Sequence, residues 1–439
     1  LLTGDGRYLD DIAVEGLLHG WVARSEHPHA RLLGIDVAAA RAMPGVLAVL
    51  TAADFRQAGL GPLRHLLKDP HNHPDGASVF PERPPLAEDK LRYVGEPVAF
   101  VVALTRDQAR DAAEAIELSV EPLDPVTQVE AADPGSAPPV WDQSPGNICF
   151  VHRAGDAAGV EAAFRSAAPR VAARFVIPRL APSPLEPRGC LAIPDRLGET
   201  TEVHSGTQDV YTLRNELARI FGLPESAFRV RSPDVGGSFG MKGVDPETVL
   251  TVWAARALRR PVKWRSDRIE AFLSDHHGRD LVSQAELALD ADGTFLALRV
   301  ASRANIGAWP SPLAAGSPIN NLGSLAGVYR TPAICAEVTG VFTNQSPTGP
   351  YRGAGRPEAS FIVERLVDLA ARHLRLDPVE LRRRNLIRPD QMPFRTGLSY
   401  SYDCGDFPAI LDRAVRAGRI ASFPDRRQDA LRRGKLLGL

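Results

Sequence analysis

Apolar and polar residues alternate along this chain in short runs, and the period of each run predicts an element. In the first 125 residues, Leu17 to Val22, Arg31 to Val37 and Val46 to Leu50 read as strands, with a short helix from Ala38 to Met43 closed by Pro44-Gly45. Val98 to Ala103 is a continuous apolar strand, followed by an amphipathic helix from Arg106 to Ile116 and a strand over Glu117 to Val120. Lys68 to Pro85, rich in Pro, His and Asp, reads as a long exposed loop. This part is a small α+β unit, since strands and helices mix without a βαβ rhythm. Glu121 to Pro139 holds several prolines among small and acidic residues and reads as a linker, with residues 126–140 dividing the chain.

A larger α+β region starts near Trp141. Ala173 to Ile177 and Gly189 to Ile193 are predicted strands, and Val203 to Gln208 a strand end. A helix carrying Leu213, Leu217 and Ile220 follows, broken by Gly222-Leu223-Pro224. Val262 to Arg265, Leu281 to Leu289 and Thr294 to Ala301 continue the strand series, the last two joined as a hairpin by Asp292-Gly293. The last residues, Gly434 to Leu439, read as a strand just beginning, and both ends of the chain look cut. No internal repeat at solenoid spacing is present.

Two glycine turns stand out, each just ahead of a helix. The first, Val235-Gly236-Gly237-Ser238-Phe239-Gly240-Met241-Lys242, lies between the strand-like Phe228 to Arg231 and a helix with Asp245 as N-cap, Pro246 at its first position and Val249, Leu250, Trp253, Ala254, Ala257 and Leu258 at helical spacing. The second, Tyr351-Arg352-Gly353-Ala354-Gly355-Arg356, precedes a helix with Pro357 and Glu358 at its start and Ile362, Leu366, Leu369, Ala370 and His373 as its buried face. A further helix has the acidic capping pattern Asp377-Pro378-Val379-Glu380. Glycines in such turns take positive φ, and bare amides near a helix start donate to an anion or an oxo group. The pattern is neither a phosphate loop nor a dinucleotide fingerprint. On spacing alone, the pair is open between two walls of one cofactor site and two unrelated turns.

Composition narrows the choice. The 439 residues allow two or three domains, and 52 basic against 53 acidic residues leave no field for nucleic acid or an anionic membrane. No run reaches the roughly 20 apolar residues of a membrane span, and no signal peptide is visible, so a cytoplasmic location is expected. Cys149, Cys190, Cys335 and Cys404 are too scattered for a disulfide framework, a thiolate zinc site or an iron–sulfur cluster. His71 and His73 flank Asn72 in a Pro-Asp-Gly loop and read as solvated, and adjacent His276-His277 point apart. No G-x-S-x-G elbow supports acyl hydrolysis. Gln208 offers an amide that is either paired structurally or free to donate to a ligand oxygen.

Thr207-Gln208, the first glycine turn and Pro350 to Ala359, in that order, resemble the molybdenum-binding large subunit of the xanthine dehydrogenase and aldehyde oxidase family. Thr3-Gly4-Asp5-Gly6-Arg7-Tyr8-Leu9-Asp10-Asp11-Ile12 and Tyr93 to Ala99 resemble its hammerhead domain. The resemblance covers essentially the whole chain. It implies a hammerhead domain over 1–125, the first part of a molybdopterin-binding domain over 141–400, and the truncated start of a second over 401–439. It also implies molybdenum on a molybdopterin, in some members the cytosine dinucleotide form, that inserts a water-derived oxygen into a C–H bond of an aldehyde or N-heteroaromatic. Gln208 would donate to the apical oxygen of the metal, and Phe239 would lie against the metal and pterin. Gly236, Gly237, Ser238 and Gly240 would line the first wall of the cofactor site, and Arg352, Gly353, Ala354 and Gly355 the second. No side chain of the chain would ligate the metal.

The departures are also informative. Gly353 stands where carbon monoxide oxidisers of the family place a Cys, and Gly243 and Asn320 stand where purine oxidisers place Glu and Arg, which disfavours both substrates. The family's general-base Glu lies in a G-x-G-E segment that this chain does not contain. The expectation is therefore an incomplete catalytic subunit, inactive without a C-terminal half, with 2Fe-2S and FAD on partner subunits. The alternative is a degenerate or split non-catalytic subunit that scaffolds a complex or binds a nucleotide-like ligand.

Overall fold

A computed structural model of the chain describes residues 2–66, 78–132, 137–167, 169–320 and 322–438. His71 and His73, and the side chain of Asn320, lie outside the described residues. In chain order the first elements are β1 (Leu18–Arg24), β2 (Ala30–Asp36), α1 (Ala38–Ala42), β3 (Val46–Thr51), α2 (Ala52–Gln57), β4 (Lys90–Leu91), β5 (Pro97–Ala103), α3 (Arg106–Glu114) and β6 (Glu117–Pro122). Then come β7 (Ile148–Gly155), α4 (Ala157–Ser166), β8 (Arg170–Leu180), β9 (Gly189–Pro194), β10 (Thr201–Ser205), α5 (Val210–Phe221), β11 (Phe228–Arg231), α6 (Pro246–Leu258) and β12 (Val262–Arg265). The chain continues through α7 (Arg268–Ser274), β13 (Gly278–Leu289), β14 (Phe295–Gly307), α8 (Gly316–Asn320), β15 (Ala333–Phe342), α9 (Arg356–Leu374) and α10 (Pro378–Asn385). It ends with the short hairpin β16 (Phe394–Arg395) and β17 (Ser401–Tyr402), then α11 (Phe407–Gly418) and α12 (Phe423–Arg432). Most predicted elements form within a residue or two of their expected limits. The expected terminal strand does not: Gly434 to Gly438 is irregular, behind two amphipathic helices.

Three sheets carry the fold. A seven-stranded sheet runs β11-β10-β9-β12-β1-β5-β3, a five-stranded one β7-β15-β14-β13-β8, and a three-stranded one β4-β2-β6. The first is shared between the two halves of the sequence: β1 pairs in parallel with β12, Leu18 opposite Val262, so the early strands extend a sheet built 240 residues later. β5 is buried at every position because both its faces are covered, one by α6 and its neighbours and the other by α3 and the small sheet. That double cover explains its unbroken apolar run. The five-stranded sheet packs on α9 through Ile362, Leu366 and Ala370, with α4 on its other side.

Several sequence-based expectations need correction. Residues 126–132 are docked and do not swing freely: Val126, Val129 and Ala132 are buried against Val341, and the Val126 amide donates to Asn344 Oδ1 at 2.8 Å. The 68–85 loop is not wholly exposed, since Arg83 is buried and donates to Tyr93 Oη at 2.7 Å. His373 is exposed at the end of α9 and Ala257 at the end of α6, where each helix outruns the sheet it covers.

α6 is enclosed along its first ten residues, including Glu247, Thr248 and Thr251. Buried polar groups need partners. Thr251 Oγ1 donates to the Glu247 carbonyl at 2.7 Å, and the Glu247 carboxylate accepts from Arg188 Nη1 at 2.7 Å and Arg24 Nη2 at 2.7 Å. Arg188 also donates through Nε to Asp275 at 2.6 Å, and Arg24 to Glu270 at 2.6 Å. β1, the segment before β9, α6 and α7 thus meet at one buried ionic cluster. Removing one member strands its partners in low dielectric, so Arg188→Met is expected to lower the unfolding free energy by about 3–5 kcal/mol in urea denaturation at neutral pH. Breaking the exposed Arg174–Glu130 pair is expected to cost no more than about 1 kcal/mol in the same measurement. A loss below about 1 kcal/mol for Arg188→Met would show that its carboxylate partners are not left uncompensated.

Candidate functional site

The first glycine turn is held at both ends by one carboxylate. Glu186 Oε2 accepts from the Gly236 amide at 2.8 Å and from Lys242 Nζ at 3.1 Å, while the Glu186 amide donates to the Gly236 carbonyl at 3.1 Å. Lys242 is buried, and burial holds its pKa below the ordinary value although Glu186 works the other way. Its charge is therefore turned inward, away from the turn's outer surface. A Cβ on Gly236 would lie 2.4 Å from Glu186 Cβ, which is why this position has no side chain.

Between these anchors the backbone turns back on itself. Gly237, Phe239 and Gly240 have φ of 96°, 56° and 110°. For phenylalanine that region is strained, and it leaves the ring 38% exposed. Among the described residues, the amides of Gly237, Ser238, Phe239 and Gly240 donate no hydrogen bond. Four consecutive unspent N–H groups in a half-buried turn are a set of donors suited to an anion or an oxo group.

The second turn is brought against the first. The Arg352 amide donates to the Phe239 carbonyl at 2.9 Å, the Phe239 and Tyr351 rings lie 6.2 Å apart, and a Cβ on Gly240 would sit 2.4 Å from the Pro350 carbonyl oxygen. Gly353, Ala354 and Gly355 take φ of 90°, 46° and 92° in succession, and Gly355 caps α9. Arg279 locks this turn from below: it donates to the Arg352 carbonyl at 2.9 Å, pairs with Glu358 at 2.7 Å and lies 5.0 Å from the centre of the Tyr351 ring. The Arg352 guanidinium is exposed and makes no hydrogen bond or ion pair among the described residues.

Gln208 completes the group, although β10 ends at Ser205 and the expected strand end is a loop before the Asp209 cap of α5. Ser238 Oγ donates to Gln208 Oε1 at 2.5 Å, and the Gln208 amide donates to the Lys242 carbonyl at 3.1 Å. With its carbonyl oxygen occupied, the side-chain NH2 of Gln208 is left exposed as a donor beside the turn. The sequence-predicted residues Gln208, Gly236, Gly237, Ser238, Phe239, Gly240, Arg352, Gly353, Ala354 and Gly355 thus form one surface. Sequence reasoning missed Glu186 and Arg279, which hold the two turns without belonging to either motif. Their signal was weak, a lone carboxylate and a lone arginine between strands.

Mixed sheets that bring two glycine turns together beside an exposed ring and a run of unspent amides define a class of protein with backbone donors on offer to an oxygen-rich ligand. Residues 140–386 match the molybdopterin cofactor-binding domain model, and residues 3–124 match the aldehyde oxidase and xanthine dehydrogenase a/b hammerhead domain model. The chain belongs to this family of molybdopterin-binding large subunits. It is 35% identical to the 6-hydroxypseudooxynicotine dehydrogenase complex subunit gamma of Paenarthrobacter nicotinovorans, covering 100% of this chain and 55% of that protein. To the carbon monoxide dehydrogenase large chain of Hydrogenophaga pseudoflava it is 35% identical, covering 95% and 52%. The crystal structure of quinoline 2-oxidoreductase from Pseudomonas putida 86 superposes with a TM-score of 0.91 at 35% identity, covering 99% of this chain and 54% of that one. The chain spans about half the length of the relatives it matches. Among the described residues, no helix is long and apolar enough to cross a membrane.

Two predictions follow from the geometry. Gly240→Ala places a Cβ against the Pro350 carbonyl at a φ that disfavours side chains, and it is expected to cost about 2 kcal/mol or more. Gly243→Ala, with open space around it, is expected to stay within about 0.5 kcal/mol. Equal effects in urea denaturation would contradict the cross-turn contact. The second concerns His277, whose Nδ1 faces Arg179 Nη1 at 3.3 Å and whose Nε2 faces the Phe272 carbonyl at 3.1 Å, the arrangement of a neutral ring. Burial, with Arg179, pushes its pKa down to about 4. A depressed histidine pKa contributes stability that is present above about 6.5 and lost as pH falls toward 4. Burial raises the Asp245 pKa to about 6 and makes it act in the opposite sense, equally in both proteins compared. Between pH 6.5 and 4.5, wild type is therefore expected to lose stability more steeply than His277→Gln, by about 1 kcal/mol per pH unit in urea titrations.

Proposed function

We propose that this chain is the N-terminal part of the large, catalytic subunit of a molybdenum hydroxylase, and that the two glycine turns hold its molybdopterin. The single observation that carries the reading is the run of four unspent amides from Gly237 to Gly240, set against the second turn by the Arg352-to-Phe239 hydrogen bond. Donors of this kind suit the phosphate and carbonyl oxygens of a pterin cofactor, and the glycines at 236 and 240 let the turn close on Glu186 and Pro350 without a Cβ in the way. When bound, the cofactor supplies the oxygen insertion and takes up two electrons per turnover.

The chain's own residues bind and orient. The exposed NH2 of Gln208, fixed by Ser238, would donate to an acceptor on the cofactor, and a donor held in place beforehand stabilises developing charge without reorganising. Phe239 would cover the cofactor with an apolar ring, while the amides of Gly353 and Gly355 and the guanidinium of Arg352 would supply donors from the second wall, shaped by Ala354, whose own amide is spent on the Tyr351 carbonyl. The general base is assigned to the half of the relatives that this chain does not span, so the polypeptide alone is expected to be inactive. The substrate is an aldehyde or an N-heteroaromatic, in keeping with Gly353 in place of a Cys. The electrons leave through iron–sulfur and FAD subunits, a reading supported by a similar protein named as one subunit of a dehydrogenase complex.

The test is reconstitution with a polypeptide corresponding to the remaining half of the relatives. About one molybdenum and one pterin per complex are expected, with dye-linked oxidation of an aldehyde or N-heterocycle. Gln208→Ala is expected to lower kcat about 100-fold while leaving the metal bound, as for loss of one preorganised donor. A folded complex free of molybdenum and pterin would overturn the proposal.

A further inference from the structure

On the face of the seven-stranded sheet opposite α6 lies a second polar cavity, of about 310 Å³, lined by Asp10, His19, Gly20, Arg106, Lys263 and Arg265. The pleat explains the placement. Leu18 and Val262 face the core under α6, so their neighbours His19 and Lys263, directly opposite each other in the β1–β12 pair, face the other way, as does Arg265. Arg106 enters from the first position of α3, a nine-residue helix capped by Thr105, whose N-terminal dipole adds positive potential. None of these residues belongs to either glycine turn.

The lining carries three cations and one carboxylate. Asp10 is already engaged by Arg265 at 2.9 Å. Lys263 has only 8% of its side chain exposed; its ammonium donates to the carbonyls of Ile12 at 2.9 Å and Asp10 at 3.3 Å and lies 3.9 Å from the Asp10 carboxylate, which it shares with Arg265. The Arg106 guanidinium stacks 4.8 Å from the centre of the Trp21 ring and makes no hydrogen bond or ion pair among the described residues. Its Nε and Nη2 are buried without partners. Like charges gathered in a concave, partly desolvated site repel one another unless an anion joins them. Burial, together with Lys263 and Arg106, holds the His19 pKa below its ordinary value, so this ring reports the local positive potential.

We propose that this cavity is a binding site for a phosphate group, free or as a small phosphomonoester, held by Arg106, Arg265 and Lys263 between the start of α3 and the β1–β12 pair. Arg106 supplies the planar donor set that phosphate recognition uses, and Lys263 a buried point charge. The volume is about that of ten waters, which accommodates a phosphate with a few carbons attached. Carboxylates alone would leave the three cations underused.

The experiment titrates the full chain, in whichever complex it is isolated, with inorganic phosphate and with glycerol phosphate at constant ionic strength. Binding is followed by calorimetry and by the NMR titration of His19. Saturable binding with an upward shift of the His19 midpoint is expected, and the tighter ligand identifies the source of the phosphate. Arg106→Gln with Arg265→Gln, both on partly exposed side chains, is expected to weaken binding by about tenfold or more, with unchanged circular dichroism. Arg31→Gln on the small sheet is expected to leave binding unchanged. The proposal is overturned if neither phosphate saturates the site, if chloride competes equally, if the double variant binds as wild type does, or if only an acidic peptide binds.

Discussion

Everything at the glycine turns hangs on the buried ion pair between Arg188 and Glu247. Arg188 lies two residues after Glu186, which clamps the ends of the first turn, and Glu247 lies two residues after Asp245, which caps the helix leaving it. The pair therefore fixes the turn from both sides. Its neighbourhood holds two guanidiniums, Arg24 and Arg188, and four carboxylates, Asp245, Glu247, Glu270 and Asp275. The charges cannot all coexist in low dielectric. Burial would raise every carboxylate pKa, and it does so for Asp245, Glu270 and Asp275, but the two arginines outweigh it at Glu247 and hold that group well below the ordinary value. Glu247 is the fixed anion, and the other three adjust around it. Such a cluster sets position more than it adds stability, since the desolvation it requires offsets much of its attraction.

Position is what the turns demand. Phe239 and Ala354 sit at φ of 56° and 46°, conformations that cost non-glycine residues of order 1 kcal/mol each. They persist because the surroundings over-determine them: the Phe239 carbonyl accepts from Arg352, and the Arg352 carbonyl accepts from Arg279, which in turn pairs with Glu358 in the first turn of α9. Strain at one turn is thus held by a chain of bonds that ends in a helix packed on the five-stranded sheet. Replacing Phe239 with glycine would relieve the strain but remove the ring, which suggests that the exposed aromatic is worth its conformational cost.

Much of this was legible in the sequence, for reasons that differ by scale. Strand and helix limits follow local periodicity and caps, and Asp245-Pro246 and Asp377-Pro378 mark helix starts that form as expected. The two turns were visible because glycines with positive φ leave a compositional trace. Their meeting was not, because nothing in a one-dimensional spacing of more than a hundred residues encodes the Arg352-to-Phe239 bond. Nor could periodicity reveal that β1 extends a sheet through Val262, or that residues 126–132 are docked on Val341. Proline-rich composition signals a restricted backbone, and restriction serves a docked segment as well as a linker. Glu186 and Arg279 escaped for a related reason: a charged residue's role depends on which distant backbone it reaches.

The two polar surfaces recognise ligands by different physics. At the turns the buried formal charges are spent inward, Lys242 on Glu186 and Arg279 on Glu358, leaving neutral amide dipoles flanked by the exposed Arg352 and Arg356. A ligand there is selected by shape and by the fixed direction of N–H groups, and such contacts are weakly screened by salt. Over the β1–β12 pair the geometry is looser and the net charge does the selecting, so occupancy should fall as ionic strength rises. Placing dipoles at one face and charges at the other keeps the first site from accumulating simple anions, which a cluster of cations beside Phe239 would attract in competition with a large, multiply hydrogen-bonded cofactor.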